Sequence, residues 1–331
     1  MARKKIELQR CFISTIDSTG AYVDYNEYTM DPNGEIVGYV TQIFSYNYRN
    51  TKAKTAVYAM DSYLADIVPE DPEHFDAFVD VIADSMHETL REAYGMSAGS
   101  GLFVFAFVDD QPVIAFFKLN YQTRLTCEKD TDGTVIWKKD PRLLPGHTQK
   151  EYDYFFISPY ERRVWMSDTH AVIGEESINY LAERILKITL HKSEKEVVDV
   201  IQNAMLDTIR ECYDEEVPKK VFEYRQTIAA AAQEAGEINP EEIGTQIFAD
   251  NEAAMERYEE RAEDMQIPTQ AVYISPPTRK ALNKKQKIVT ENGIEILVPV
   301  EFLEDKEIFD FQQDEHGSIS IVIRDTKGVV K

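Results

Sequence analysis

Two apolar runs, LFVFAFV at residues 102–108 and VIAFFKL at residues 113–119, decide how this chain begins to fold. Asp109 and Asp110 follow the first run and interrupt the apolar pattern with two charges. Short apolar runs rich in β-branched and aromatic residues, separated by a polar turn, are typical of paired strands in a protein core. The two runs therefore predict a buried β-hairpin.

Strands are predicted on both sides of this hairpin, and two helices are predicted before it. Strand patterns cover Lys5 to Tyr28 as a pair and continue in four further segments: 121–126, 134–137, 152–157 and 162–166. One helix is predicted near residues 35–48. A second begins at Pro72 and has an apolar face made of Phe75, Phe78, Val79, Ile82, Met86 and Leu90. Residues 1–170 therefore predict an N-terminal α+β domain with a mostly antiparallel sheet.

The pattern becomes helical after residue 170. A first helix is predicted from apolar residues at helical spacing: Ile178, Leu181, Ala182, Ile185 and Leu186. A capping box at Ser193 and Glu196 opens a second helix, and a third covers residues 218–235. Asn239 and Pro240 begin a fourth, as an N-cap followed by proline at the first helical position.

Small hairpins follow this helical block. Asn292-Gly293 supplies the positive φ angles that a tight turn needs. Two hairpins are predicted, which pair 287–290 with 294–300 and 308–311 with 318–323. We therefore expect a C-terminal domain over residues 171–331. It combines an acidic helical block, 171–267, with a basic segment and β-hairpins, 268–331.

The charge of the C-terminal domain reverses along the chain. The whole protein has a net charge of −23, and residues 201–270 hold 17 Asp and Glu against 6 Lys and Arg, a net charge of −11. Residues 265–290 contain no acid and five bases: Arg279, Lys280, Lys284, Lys285 and Lys287. We call residues 279–287 the basic segment. Cations concentrated in this way attract anions, and nucleic acid is the first candidate partner.

Two interpretations of the basic segment remain open. Its five cations fall within nine residues and can contact successive phosphates of DNA. The same cations can instead lie on a solvated helix and balance the acidic block beside them. No recognition-helix pattern, zinc finger or aromatic-rich RNA motif accompanies them, so the sequence does not support base-specific contacts.

Signatures of catalysis are missing from the sequence. The six histidines form no HExxH motif and no paired spacing with cysteine, and no glycine-rich phosphate loop or GxSxG motif is present. Asp168-Thr169-His170 could place two metal ligands together. Asp109, Asp110 and Lys118 loosely resemble the acids and lysine of a metal-dependent nuclease, but Phe116 stands where such an enzyme needs an acid. We therefore predict no enzymatic activity, no metal and no cofactor.

Composition indicates a soluble cytoplasmic protein without a membrane partner. Hydrophobic residues make up 43% of the chain, no apolar run reaches 18 residues, and Met1 to Gln9 is too charged for a secretory signal. The three cysteines are far apart, which argues against a disulfide framework and fits a reducing compartment. Apolar positions on the long helices are compatible with a homodimer.

The order of the predicted elements resembles a known family. Three blocks carry the resemblance: the helix and apolar hairpin from Phe75 through Leu102-Phe103-Val104 to Leu119, the segment Tyr180 to Tyr213, and a C-terminal block with Pro277-Thr278-Arg279-Lys280-Ala281-Leu282, Ile294-Glu295-Ile296, Ile308-Phe309-Asp310 and Ser318-Ile319-Ser320-Ile321. In order, spacing and size, the chain resembles the bacterial 37-kilodalton nucleoid-associated protein family. The blocks are hydrophobic patterns and turn positions, and they contain no catalytic signature.

The resemblance implies association with the bacterial nucleoid, and it brings no catalytic residues. A protein reaches the nucleoid either by binding DNA or by binding a DNA-bound protein, and the resemblance leaves both routes open. The leading expectation is a nucleoid-associated protein that binds DNA or a DNA-bound complex through the basic segment. The alternative is an interaction protein whose acidic helices, Asp207 to Asp264, imitate the charge of DNA and dock on a DNA-processing enzyme such as a topoisomerase or nuclease.

Overall fold

Helices and antiparallel strands make up the computed structural model, which describes residues 5–16, 23–31, 34–94, 97–129, 131–146, 153–214, 216–283, 286–289, 295–298, 309–313 and 319–324. A large antiparallel sheet with helices comes first, and a helical block with small strands follows it. The predicted α+β class is therefore confirmed. The chain divides into two compact units, Met1–Ser193 and Glu194–Lys331.

Seven strands of the first unit form one sheet: β1 Ile6–Ile16, β2 Val23–Glu27, β3 Lys54–Val57, β5 Gly99–Val108, β6 Gln111–Asn120, β9 Asp153–Ser158 and β10 Arg163–Ser167. Their order is β2-β1-β5-β6-β9-β10-β3, and every neighbouring pair is antiparallel. The helices are α1 Glu35–Asn47, α2 Tyr63–Ile67 and α3 Phe75–Glu92, the last preceded by a 3-10 turn at Pro72–His74.

Two smaller sheets complete the first unit. One is a three-stranded sheet with the order β12-β11-β4, built from β4 Ala93–Tyr94, β11 His170–Ile173 and β12 Glu176–Asn179. The other is a two-stranded ribbon of β7 Gln122–Lys129 and β8 Val135–Leu143. The ribbon is inserted between β6 and β9, which are neighbours in the main sheet.

The β5–β6 hairpin lies at the centre of the main sheet and is buried on both faces. On one face Phe105 packs edge-on against Phe75 of α3, with ring centroids 5.6 Å apart. On the other face, Phe117 packs against Phe156, which contacts Phe44 of α1 at 5.0 Å. Each strand therefore needs apolar residues at every position, which explains the two continuous apolar runs.

One predicted helix is wrong. Ile178 lies in strand β12 and pairs with Ala171 of β11, and only Leu181–Leu186 is helical, as a short π-helical turn. A turn at Gly174, with φ of 63°, connects the two strands. Ile178 and the apolar residues of the π turn all enter the same core, so a strand followed by a turn satisfies the spacing that suggested a helix.

The division between the units follows from these strands. The sequence places the boundary after residue 170, whereas the structure divides after Ser193. Strands β11 and β12 join the first unit because β11 pairs with β4, directly after α3. The π turn packs into the core of the first unit as well.

The second unit begins with the helical block. Its helices are α4 Glu194–Cys212, α5 Val217–Glu234, α6 Pro240–Ile247, α7 Glu252–Asp264 and α8 Pro276–Leu282. Its strands form three antiparallel pairs: β13 Glu237–Ile238 with β14 Val272–Tyr273, β15 Gln286–Val289 with β16 Glu295–Val298, and β17 Phe309–Gln313 with β18 Ile319–Ile323. The predicted N-cap of the fourth helix is confirmed, because Asn239 Oδ1 accepts the backbone N–H of Glu242.

Helix α5 connects the helical and strand parts of the second unit. Tyr224 and Ile228 of α5 belong to the core that α4, α6 and α7 share. Ala229 instead packs with Val298 of β16, and Phe222 and Ile321 lie against this second cluster. Within the described ranges, no helix of either unit is long and apolar enough to cross a membrane.

Candidate nucleic-acid interface

The basic segment begins on the short helix α8 and continues into β15. Arg279 and Lys280 occupy the last turn of α8, and the backbone of Lys287 belongs to β15. Lys284 and Lys285 lie outside the described residues, and so does the side chain of Lys287. Of the five predicted contact residues, Arg279 and Lys280 have side chains that the structure describes.

Helix α8 is fixed to two neighbouring helices. The backbone N–H and the hydroxyl of Ser275 donate to the Glu194 carboxylate of α4, at 3.0 and 2.9 Å. Asn283 Nδ2 donates to Gln233 Oε1 of α5 at 3.1 Å. Lys280 lies between these attachments and is exposed. An exposed cation on a fixed helix is suited to a contact with phosphate, which positions a protein on nucleic acid without reading its sequence.

Arg279 is turned toward the protein. A Cβ atom on Gly236 would lie 3.5 Å from Arg279 Nη1, and the Arg279 side chain is only partly exposed. Gly236 follows α5 directly and has a φ of 72°, so the guanidinium lies at the carbonyl end of that helix, where the partial charge is negative. The sequence predicts Arg279 as a phosphate contact, whereas this packing favours a role in holding α8 against α5.

Helix α7 presents acids on one side and buried residues on the other. Ala254 and Tyr258 are buried against the rest of the second unit. The exposed acids recur one, three or four residues apart, a spacing that keeps them on the opposite side. They are Glu252, Glu256, Glu259, Glu260, Glu263 and Asp264. We call these six residues the acidic face.

The arginines of α7 lie at the edge of the acidic face. Arg257 and Arg261 both pair with Glu211 of α4, at 3.0 and 2.6 Å. Hydrogen bonds from Arg261 and then from Arg257 lower the pKa of Glu211. Arg257 also pairs with Glu260 at 3.0 Å, but none of the other five acids of the face forms an ion pair with a described residue. Negative charge on this face is therefore left largely uncompensated.

The charge density of the acidic face is close to that of a DNA strand. With a rise of about 1.5 Å per residue, the twelve steps from Glu252 to Asp264 span roughly 18 Å. Six carboxylates over this length give one charge per ~3 Å, against one per ~3.4 Å along a single strand of DNA. Helix α7 therefore carries a one-sided row of carboxylates at nearly the linear charge spacing of a DNA strand.

The structure separates the residues that a metal-dependent nuclease would bring together. Asp109 and Asp110 form the tight turn of the β5–β6 hairpin, with φ of 49° and 63°. Lys118 lies near the other end of β6, paired with Gly101. Eight residues of extended strand, about 26 Å, separate Asp110 from Lys118. The two acids and Lys118 therefore cannot belong to one catalytic site.

Lys118 belongs instead to a buried polar cluster that the sequence does not predict. Lys118 Nζ donates to the Ser97 carbonyl at 3.1 Å, and Asp153 lies opposite Lys118 across β6 and β9. Asp153 accepts hydrogen bonds from the Tyr180 hydroxyl at 3.2 Å and from the Thr169 backbone N–H at 2.9 Å. Burial lowers the pKa of Lys118, and the charge of Asp153 opposes that shift. These residues come from separate elements, so no local motif reveals them.

Asp168 adjoins this cluster and caps the π-helical turn. Its Oδ2 accepts the Ala182 backbone N–H at 2.9 Å, and its Oδ1 is buried without a described hydrogen-bond partner. Burial raises the pKa of Asp168 to about 7, although the hydrogen bond from Ala182 opposes this shift; the charges of Asp153 and Glu183 raise the pKa further. In the described part of the chain, no group of three or more His, Cys, Asp or Glu could hold a metal ion.

The chain matches no known protein-family model and no curated protein. Its resemblance to the nucleoid-associated family therefore rests on the sequence blocks that carry it.

Replacement of Gly236 tests the left-handed backbone conformation beside Arg279 at the end of α5. We expect Gly236→Ala to lower the free energy of unfolding by about 1–2 kcal/mol, because an alanine is disfavoured at positive φ. The matched control is Gly38→Ala in α1, where nothing lies within 4 Å. This exposed helical position should gain up to about 1 kcal/mol. Urea denaturation followed by circular dichroism measures both, and a neutral Gly236→Ala contradicts the left-handed conformation of this residue.

Replacement of Asp168 tests the pH dependence of the first unit. Because the folded pKa is raised, the contribution of Asp168 is fully present below pH ~4 and is lost as the pH rises through ~7. We expect Asp168→Asn, measured against wild type, to be more stabilising at pH 8 than at pH 5, by at most about 3 kcal/mol, because about two pH units separate pH 5 from the folded pKa. Urea denaturation at both pH values measures this difference. Asp84→Asn, at an exposed acid of α3, is the control, and equal behaviour of the two variants contradicts the assignment.

Proposed function

We propose that this chain is a non-enzymatic nucleoid-associated protein that binds DNA, or a protein complex on DNA, through its basic segment. The observation that carries the proposal is the absence of acids from residues 265–290, which hold five bases in a chain of net charge −23. The resemblance to the nucleoid-associated family supports the same function. Residues Lys280, Lys284, Lys285 and Lys287 are the proposed phosphate contacts, and Arg279 supports them by fixing α8.

Electrostatics limits how such a protein can meet DNA. The acidic body repels the phosphates, and salt at physiological strength screens charges over about 8 Å. The basic segment can therefore attract DNA only when its lysines are close to the backbone. Binding of this kind is local, independent of base sequence and strongly dependent on salt, because each lysine at a phosphate releases condensed counterions.

Charge reversal of the basic segment tests the proposal. We expect Lys284→Glu, Lys285→Glu and Lys287→Glu together to abolish most binding to a generic duplex. Affinity falls as the salt concentration rises, and loss of three phosphate contacts should make this dependence less steep. The slope of log affinity against log salt concentration should become less negative by roughly 3. Fluorescence anisotropy with a labelled duplex, titrated at several salt concentrations, measures both effects.

The control for this experiment carries the same change of net charge elsewhere. Lys52, Lys192 and Lys219 are exposed lysines outside the basic segment. Their joint replacement by Glu should weaken binding far less, since only the general repulsion increases. Equal binding by the basic-segment variant and the wild type rejects the segment as the contact.

The acidic face of α7 supports a second candidate function. An interaction protein that imitates DNA would place this face in the DNA-binding channel of a topoisomerase or nuclease. The observation that favours this function is the one-sided array of carboxylates, spaced along α7 at nearly the charge density of a DNA strand. Such docking depends on complementary potentials and falls with salt.

Neutralisation of the acidic face separates the two functions. If the second function holds, the wild-type protein competes with plasmid DNA for a topoisomerase at low salt. Glu256→Gln, Glu259→Gln and Glu263→Gln together should then raise the half-inhibitory concentration in a plasmid relaxation assay by at least about tenfold. The control variant has glutamines at three exposed acids outside α7, Glu234, Glu237 and Glu241. Equal inhibition by both variants, or none by the wild type, rules out the acidic face.

A further inference from the structure

The β7–β8 ribbon is attached to the first unit only at its base among the described residues. Before β7, the Tyr121 backbone N–H donates to the Ala98 carbonyl at 2.9 Å, and the hydroxyls of Tyr121 and Ser100 are 3.0 Å apart. After β8, the Tyr39 hydroxyl of α1 donates to the Pro145 carbonyl at 2.7 Å. The paired strands between these attachments are almost entirely exposed.

Large apolar side chains lie exposed on this ribbon. Trp137 is 73% exposed, whereas Trp165 in the main sheet is 7% exposed. Leu125 and Val135 are 63% and 55% exposed. A two-stranded ribbon without a covering layer is only marginally stable in water, so exposed apolar residues on it gain nothing from folding. Large apolar side chains grouped on one such ribbon make it a candidate interaction site.

The strand register assigns these residues to one face of the ribbon. Residues directly opposite each other share a face, and Cys127 pairs with Trp137 at its centre. The face holds Leu125, Cys127, Lys129, Val135, Trp137 and Lys139. We call it the tryptophan face, and it contains two lysines and no acid. The reverse face holds charges of both signs, namely Arg124, Glu128, Lys138 and Asp140.

The lysines of the two faces differ in their ion pairs. On the reverse face, Lys138 pairs with Glu128 at 3.6 Å. Lys129 and Lys139 on the tryptophan face pair with no acid among the described residues. They lie on either side of Trp137 along the ribbon, each about two residues, or ~7 Å, away. An acid-free surface with a central indole is unusual on a chain of net charge −23.

We infer that the tryptophan face binds single-stranded nucleic acid, with a base stacked on Trp137 and neighbouring phosphates on Lys129 and Lys139. Proteins that bind single strands combine aromatic side chains, on which bases stack, with cations that follow the backbone. A duplex keeps its base faces stacked inside, so only an unpaired base can cover the indole. The inference rests on the proposed function in taking nucleic acid as the partner, but it concerns a different surface and an unpaired strand.

A second copy of the chain is a weaker occupant for the same face. The paired strands are roughly 25 Å long and 10 Å wide, so the face offers about 250 Å². A specific protein interface usually buries about 800 Å² on each partner. Two copies face to face would also bring four lysines together with no acid to compensate them. Charge complementarity therefore favours a polyanion.

Binding of a labelled 20-nucleotide oligo(dT) by the full chain tests the inference. We expect Trp137→Ala to weaken binding between about fivefold and a hundredfold, the range for one stacked base. Lys129→Glu with Lys139→Glu should also weaken it and flatten its salt dependence. The controls change the neighbouring residues on the reverse face, as Ile136→Ala and Lys138→Glu, and should bind like wild type. Fluorescence anisotropy at low and physiological salt measures all of these affinities.

Intrinsic fluorescence gives an independent measurement of stacking. Oligo(dT) should quench the wild-type emission, because a base on Trp137 quenches an exposed indole. In Trp137→Phe only the buried Trp165 remains, and the quenching should disappear. Circular dichroism of every variant checks that the fold is unchanged. All the changed positions are exposed, so we expect them to fold like wild type.

Three results overturn the inference. They are the absence of oligo(dT) binding by the wild type at low salt, unchanged binding by Trp137→Ala, and a wild-type dimer in sedimentation that Trp137→Ala converts to a monomer. Duplex binding distinguishes these results from failure of the proposed function. If the ribbon variants keep duplex binding and the Lys284, Lys285 and Lys287 variant loses it, the basic segment is the DNA contact whatever the ribbon does.

Discussion

Burial of the β5–β6 hairpin on both faces is the constraint on which the first unit depends. Side chains alternate between the two faces of a strand, so a strand that is apolar at every position requires an apolar layer on each side. Helix α3 supplies one layer through its row of phenylalanine, isoleucine and methionine side chains, and α1 supplies the other. Close approach of strands also matters here. Gly101 faces Ser14 and Phe116 so tightly that a side chain larger than hydrogen would force one of them to move. The remaining strands extend a sheet whose centre is already fixed by these contacts.

The position of β9 next to β6 determines what the first unit exposes. Because both ends of the chain between Asn120 and Asp153 must meet at one end of the sheet, the strands in between pair with each other and leave the core. The exposed tryptophan of that ribbon is a consequence of this connection. The same pairing places Lys118 opposite Asp153, where Tyr180 and the backbone of Thr169 satisfy the carboxylate. The pairing of β6 with β9 therefore accounts both for the buried polar cluster around Asp153 and for the exposed β7–β8 ribbon.

Some charged residues of the second unit form ion pairs within it, and others are exposed on α7 and α8. Three cations of the second unit form ion pairs within it. Arg257 and Arg261 of α7 pair with Glu211 of α4, and Lys220 of α5 pairs with Asp250, which lies between α6 and α7. Apart from Glu260, which Arg257 also contacts, the acids of α7 form no ion pair with a described residue, because its arginines point to α4. Helix α8 carries Lys280 outward while Arg279 fixes it to α5. A polyanionic partner for the basic segment and a cationic partner for α7 are both compatible with this arrangement, since the two surfaces belong to different helices.

The sequence by itself determined the elements whose patterns are local: the apolar hairpin, the helix that follows Pro72, the helix capped by Asn239, the pairing of β15 with β16 and the position of the basic segment along the chain. The Asn292-Gly293 turn itself lies outside the described residues. It misassigned Ile178, because a strand followed by a turn brings the same apolar residues into the core as a helix would. It could not find the Lys118, Asp153, Tyr180 and Asp168 cluster, whose members are up to about 60 residues apart. Only the tertiary structure decided that Arg279 packs inward, that the arginines of α7 pair with Glu211 of α4 and that Trp137 is exposed. The periodicity of apolar residues in the sequence shows which side of a helix or strand is apolar. The pairing of strands and the packing of helices determine which residues contact that side.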